Sequence, residues 1–213
     1  PAHSRGRSSR IGLAEMAALR AATSSMLIDG YRRFKRGRDK IWSLLIRDAF
    51  ASFGERSVLA LPVRLVGVSG ISIGTGVFVG PDSWLQTIPP RGKSARLAIG
   101  DGTSIAGSAV LSAVEDVSLG RSVLLARNVY ISDHIHAYGE IDVAIKDQGV
   151  ARVAPVVVGD GAWLGQGVVV VPGVTIGAGS VVGANSVVTS DIPERSLAVG
   201  APARVVRQLD EQK

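Results

Sequence analysis

Between Val158 and Val188 a medium-sized aliphatic residue returns every six positions without a break: Val158, Leu164, Val170, Ile176, Val182 and Val188. Glycine follows four of these anchors, at Gly159, Gly165, Gly177 and Gly183. Four positions after the anchors come Ala162, Val168, Val174, Ser180 and Ser186, all small or β-branched. Shorter runs precede this one: Ile73 and Val79; Ile99, Ile105 and Leu111; Leu119, Leu125 and Ile131, with Gly74, Gly80, Gly100 and Gly120 behind anchors. A period of six matches neither the 3.6 of a helix nor the alternation of a hairpin sheet. It suits a coil of short strands joined by turns, in which three hexads close one triangular turn and successive turns stack as parallel strands. The anchor then points into the coil axis. The glycine serves the turn, where positive φ or close backbone approach is required. Each turn buries its apolar wall only against its neighbours, so several must stack.

Composition agrees with such a coil. Of 213 residues 26 are Gly, and the chain is 46% hydrophobic but only 5% aromatic, so its core must be built from Val, Ile, Leu and Ala. Cysteine is absent, which excludes disulfides, thiolate metal sites and a thiol nucleophile. The net charge of +6 is uneven. Residues 1–56 hold twelve Lys/Arg against five Asp/Glu, and residues 57–213 hold twelve against thirteen. The main domain is therefore not a basic nucleic-acid groove, and no nucleic-acid partner is expected.

The expected organisation is a basic, compositionally disordered tail at 1–10, a helical segment at 11–56, the coil at 57–200 and a C-terminal tail or helix at 201–213. Within 11–56 apolar residues fall at helical spacings: Met16 and Leu19; Leu27, Tyr31 and Phe34; Ile41, Leu44 and Leu45. Arg32, Arg33, Lys35, Arg36, Arg38 and Lys40 lie between two of these stretches. Helices that cap the coil with their basic residues solvated are the first reading. An interfacial helix drawn to anionic lipid is the second. No run reaches the ~18 apolar residues of a membrane span, and no secretory signal is visible, so a cytoplasmic location is expected, with peripheral contact at the inner face of the membrane as the variant.

The six-residue phase breaks between Ile131 and Val158, so an excursion spanning 132–157 leaves the coil there. It carries His134 and His136, together with Asp133, Glu140 and Asp142. Loops on a rigid solenoid are where function concentrates, and imidazole is the side chain suited to proton transfer near neutrality. Any of the three carboxylates would serve to hold an imidazole tautomer.

From Val129 to Arg207 the chain resembles the hexapeptide-repeat acetyltransferases, in particular sugar and polysaccharide O-acetyltransferases. VYISDHIHAYGEID resembles their D-H-x-H loop, PVVVGDGAWLGQGVVVVPGVTIG their Trp-bearing coil, and VVGANSVVTSDIPERSLAVGAPARVVR their last coil and tail. The resemblance implies a mainly β, left-handed parallel β-helix with an N-terminal α-helical segment and a short C-terminal helix. It implies an acetyl-CoA-dependent O-acetyltransferase acting on a hydroxyl of a sugar, a surface polysaccharide or its lipid-linked precursor. Acetyl-CoA enters as co-substrate and no metal is required. By register with the family loop the base is His136, with His134 as alternate or orienting neighbour and Asp133 among the carboxylates beside them. Trp163 is implied at the acceptor or pantetheine. Gln166, Ala184, Thr189 and Ser190 are implied along the CoA track, with Arg204 and Arg207 on its phosphates; these two arginines, three apart, would share one face of a C-terminal helix. Ala201 replaces the usual Asn of the tail, and Ser190 stands where many relatives have Lys. A homotrimer with the site between subunits is implied as well.

The same residues admit three other readings. The acceptor is a small molecule such as an antibiotic, serine or the amine of a nucleotide sugar. The chain is a γ-class carbonic anhydrase, for which it offers only the His134-x-His136 pair toward three zinc ligands. Or the coil is a non-catalytic scaffold.

Overall fold

The structure, a computed structural model, describes residues 13–209. The expected tail at 1–10 and residues 210–213 lie outside the described residues, as does the side chain of Leu19. The chain divides into two units, the first ending at Arg38 and the second beginning at Asp39. One α-helix, Leu13–Ile46, runs across the division. It has no proline, and it is rich in Ala, Leu, Met, Arg and Lys, all good helix formers. In the first unit the described side chains are exposed almost throughout, including Leu27, Tyr31 and Phe34. Asp29 pairs with Arg32 at 3.6 Å, and the Lys35 ammonium lies 5.6 Å from the Tyr31 ring centre. Among the described residues no helix is long and apolar enough to cross a membrane.

The second unit is a left-handed parallel β-helix with three faces. Face one holds Ser52–Phe53, Ile71–Ile73, Arg96–Ile99, Asp116–Leu119, Val156–Val158 and Thr175–Ile176. Face two holds Val58–Leu59, Phe78–Val79, Ser104–Ile105, Leu124–Leu125, Trp163–Leu164, Val181–Val182, Ser196–Gly200 and, antiparallel, Ala203–Gln208. Face three holds Val63–Val66, Ser83–Thr87, Val110–Ala113, Tyr130–Ser132, Val169–Val170 and Val187–Val188. The anchors stack in register down each face. Face one reads Phe53, Ile73, Ile99, Leu119, Val158, Ile176. Face two reads Leu59, Val79, Ile105, Leu125, Leu164, Val182. Face three reads Leu65, Leu85, Leu111, Ile131, Val170, Val188. Nearly all are fully buried, and each contributes roughly 1.5–3 kcal/mol of transfer free energy.

The glycines behind the anchors are there for close approach rather than for φ. A Cβ on Gly159 would lie 2.6 Å from the backbone nitrogen of Ala178, and one on Gly165 would lie 2.7 Å from that of Ala184. Positive φ falls two positions later, at Gly161 and Gly167.

A uniform turn of three hexads holds only in the C-terminal coils, where Val158 pairs above Ile176 and Leu164 above Val182. Upstream turns are longer, and the added residues all sit at the corner between faces three and one. The chain bridges that corner between Thr87 and Arg96, between Ala113 and Asp116, and between Ser132 and Val156. The two large excursions therefore leave from the same edge, one short-cornered turn apart.

Two expectations are corrected at the ends. The first coil strand is Ser52–Phe53, ahead of residue 57. The segment Ala203–Gln208 is a strand, not a short C-terminal helix. Strand 196–200 is the last of the parallel ladder and offers open backbone groups; the β-branched Val205 and Val206 suit a strand that closes them. At the other end, residues 39–46 cap the coil, but not with the apolar spacing. Ile41, Leu44 and Leu45 are exposed, while Asp39 and Ser43 are buried. The first turn has no preceding turn to accept its N–H groups, and these polar side chains do so. Leu59 N–H donates to Ser43 Oγ (2.9 Å) and Leu61 N–H to Asp39 Oδ1 (3.3 Å).

Candidate active site

A buried carboxylate organises the corner between faces three and one, the third corner of the coil. Asp133 follows the last residue of Tyr130–Ser132 and is fully buried. Its oxygens accept backbone N–H bonds from Val114 (2.9 Å), Glu115 (2.7 Å) and Asp116 (2.8 Å), the tight corner of the adjoining turn. Oδ1 also accepts the Nδ1–H of His134 at 2.8 Å. Burial alone pushes this carboxyl up. The His134 bond and the three backbone N–H groups outweigh it and hold the carboxyl below its ordinary range. The Asp133 carbonyl accepts the Ala154 N–H at 2.9 Å, which pins the point where the excursion re-enters.

His134 is thus fixed at one ring nitrogen. With Nδ1–H on Asp133, Nε2 carries the lone pair. The side chain is 13% exposed, and Ser132, also buried, hydrogen-bonds around it, its hydroxyl donating to the His134 carbonyl at 2.8 Å. His136 lies on the two-residue strand Ile135–His136, paired antiparallel with Val150–Ala151. It is exposed, and its ring has no hydrogen bond among the described residues. Both imidazoles line one cleft of about 620 Å³ between the two excursions. Ile88, Pro89 and Pro90 come from the shorter excursion; Lys146, Gly149 and Val150 come from the longer; Arg64, Val66, Trp84 and Gln86 come from face three. A neighbouring recess shares Pro90 and Val114 but holds no imidazole.

Of the carboxylates considered from sequence, Asp133 meets an imidazole. Glu140 and Asp142 are exposed on the excursion, where the Glu140 backbone is tied to Gln148. Trp163 is not at the cleft of its own chain. It stands half-exposed on the outside of face two, in register between Leu124 and Val181. Gln166 and Ala184 are exposed at one corner, stacked where the Gln166 carbonyl accepts the Asn185 N–H at 2.8 Å. Thr189 and Ser190 are exposed at the next corner, so they do not continue that track directly.

Arg204 and Arg207 are exposed on the return strand rather than on a helix. They still share a side. Arg204 pairs with Val199 and Arg207 with Leu197, with a register shift between Leu197 and Ala198. Residues opposite one another in a ladder point to the same face, and 197 and 199 are two apart. The irregularity, with Val206 as the extra residue, is what brings both guanidiniums to one side.

Arg64 and Trp84 were not singled out from the sequence. They are neighbours in register on the outside of face three, and the guanidinium carbon lies 3.9 Å from the ring centre. The available signal is positional: Trp84 directly precedes the anchor Leu85, as Trp163 precedes Leu164. Among the described residues no three His, Asp or Glu side chains are gathered as a metal-ligand set.

Residues 155–190 match the family model "Bacterial transferase hexapeptide (six repeats)". The chain is 38% identical over 137 residues to the probable acetyltransferase Rv3034c of Mycobacterium tuberculosis, covering 64% of this chain and 44% of that protein. It spans about half the length of the first curated relatives it matches. It superposes on a maltose O-acetyltransferase from Clostridium difficile with a TM-score of 0.54 at 30% identity, over 78% of this chain and 73% of that one. It shares its fold with AntD, an N-acyltransferase from Bacillus cereus solved with dTDP and 3-hydroxybutyryl-CoA: TM-score 0.67, 20% identity, 78% and 87% covered. The stacked hexads, the excursion at the third corner and these likenesses together place the chain in the hexapeptide-repeat acetyltransferase family.

Proposed function

We propose that this domain transfers an acetyl group from acetyl-CoA to a hydroxyl of a sugar, free or within a surface glycan or its precursor, with His134 as general base. The observation that carries the reading is the Asp133–His134 pair on the cleft wall, 2.8 Å apart. The order of the two histidines is reversed from the sequence register, which favoured His136. A base works best when its orientation and tautomer are fixed. His134 has both from Asp133, whereas the His136 ring has no hydrogen bond among the described residues.

In the proposed step Nε2 of His134 takes the hydroxyl proton as the oxygen attacks the thioester carbonyl. A C–O bond forms, and the tetrahedral oxyanion is met by N–H donors of the site. The C–S bond then breaks, the electrons leave with sulfur, and the imidazolium returns its proton to the CoA thiolate. Asp133 stabilises the transient imidazolium. With no cysteine in the chain, the transfer is direct rather than through a thioester of the enzyme.

The remaining assignments belong to the same proposal. Trp163, exposed on face two, would meet the cleft of a neighbouring subunit in a homotrimer. Gln166, Ala184, Thr189 and Ser190 would lie along CoA, with Arg204 and Arg207 on its phosphates. Because acetyl-CoA is a cytoplasmic metabolite, the reading places the domain on that side of the membrane. The N-acyltransferase likeness supports a second reading, in which an acceptor amine replaces the hydroxyl.

The test is thiol release from acetyl-CoA against a panel of sugars, antibiotics, serine and amino sugars, with products read by mass spectrometry. The proposal expects an O-acetyl sugar. Acetylation of an amine alone selects the second reading. No binding of acetyl-CoA would overturn both.

A further inference from the structure

We infer that the acceptor carries an anionic group, phosphate or carboxylate, and that Arg64 binds it from its place on Trp84. The inference rests on the cleft being the acceptor site, and it names the class of acceptor.

The cleft is charged on one side of the ledger only. Among its lining residues, Arg64 and Lys146 are cationic and none is Asp or Glu. The nearby carboxylates are occupied or face elsewhere. Asp133 is buried behind His134 with three backbone N–H groups on it. Asp116 pairs with Arg96 at 3.2 Å, and Glu115 and Asp116 line the neighbouring recess. Asp147 takes Lys146 with both carboxylate oxygens, at 2.9 and 2.8 Å, which neutralises that lysine and leaves Arg64 as the cation of the cleft. Arg64 is different: it is exposed and has no carboxylate partner among the described residues.

Its geometry suits recognition. Strands Val63–Val66 and Ser83–Thr87 run parallel with Arg64 beside Trp84 on the outer side of face three. The ring supports the flat of the guanidinium at 3.9 Å, which restricts the long side chain and leaves its N–H edge free. A supported, weakly hydrated guanidinium is the group best fitted to two parallel bonds with phosphate or carboxylate. A neutral sugar offers this cation hydroxyl acceptors but no opposite charge. A sugar phosphate, a nucleotide- or lipid-diphosphate sugar, or a uronic acid supplies the missing charge at one end and a hydroxyl for His134 at the other.

Direct binding tests this without turnover. Calorimetry with glucose 1-phosphate, methyl glucuronide and methyl glucoside, each titrated into the full chain, separates phosphate from carboxylate and both from neutral sugar. At least one anionic probe should bind about ten- to hundred-fold tighter than the neutral one, the range of one or two charge-assisted hydrogen bonds. Arg64→Met should remove that difference by weakening the anionic probe far more than methyl glucoside, with the fold retained and the melting temperature lowered by no more than loss of the contact with Trp84 accounts for. Arg64→Lys should recover part of it. Equal binding of all three probes, binding of none, or an equal loss for all three in Arg64→Met would overturn the inference. Acetyl transfer to neutral and charged sugars alike would preserve the proposed reaction and remove only the charge requirement.

Discussion

Replacing Asp133 by Asn changes one atom and should disable both the corner and the site. The native carboxylate accepts three backbone N–H bonds and one imidazole N–H while fully buried. An amide offers one acceptor oxygen with two lone pairs, and its NH₂ must then face at least one of the four donors. One or two buried donors are left unpaired, each worth about 1–3 kcal/mol, and the remaining bonds lose their charge. The expected destabilisation is about 2–5 kcal/mol, the sum of the unpaired donors and the weakened bonds. Urea unfolding at one fixed protein concentration measures it, the concentration being held because subunit association would shift the midpoint. The pH dependence has a fixed sign. The folded carboxyl titrates below its unfolded value of about 3.9, so its contribution is present above that value and is lost as pH falls through the folded pKa. The stability curves of wild type and Asp133→Asn should therefore approach each other in acid. The same variant should lower kcat by about 10²-fold or more with the KM for acetyl-CoA nearly unchanged, since the imidazole loses its anchor. An unchanged urea midpoint, or a gap between the curves that stays constant down to strong acid, would show that the carboxylate does not hold the corner.

Gly159→Ala should destabilise the coil by several kcal/mol, because its Cβ would meet the Ala178 nitrogen at 2.6 Å, whereas Gly161→Ala meets open space and carries only the strain of positive φ, about 1 kcal/mol; chemical denaturation ranks the two. Leu125→Ala, in the middle of face two and fully buried, should cost about 2–5 kcal/mol in the same assay. Arg204→Ala with Arg207→Ala should raise the KM for acetyl-CoA about ten-fold or more at unchanged kcat, and the effect should shrink for dephospho-CoA, which lacks one phosphate group.

Most of the coil could be read from the chain because its rule is local. An aliphatic anchor such as Leu164 faces the axis wherever the hexad places it, and its partners Leu125 and Val182 obey the same rule. Corner lengths follow no such period. Turns with longer corners escape an 18-residue template without disturbing the phase inside each run, which is why Ile99 to Leu111 reads cleanly while its distance to Leu119 does not. The C-terminal strand was missed because an Arg-x-x-Arg spacing fits one face of a helix, and only the ladder with its irregularity at 197–198 shows that a strand can do the same. The capping face was missed because polar Asp39 and Ser43 are buried to serve the N–H groups of the first turn, a demand set by the coil's end and invisible in the helix itself. At the site, the His-bearing loop stood out in the sequence. The carboxylate that fixes His134, and the Arg64–Trp84 pair across the cleft, depend on which turn lies beside which.

The measurement that bears most directly on the chemistry is acetyl transfer to one accepted sugar by His134→Ala and His136→Ala, assayed side by side with acetyl-CoA affinity as the control for folding. His134→Ala should lower kcat by about 10²–10⁴-fold with acetyl-CoA binding retained, while His136→Ala keeps most of its turnover. The opposite ranking would move the base to the exposed imidazole, and full activity in both variants would remove imidazole catalysis from this cleft.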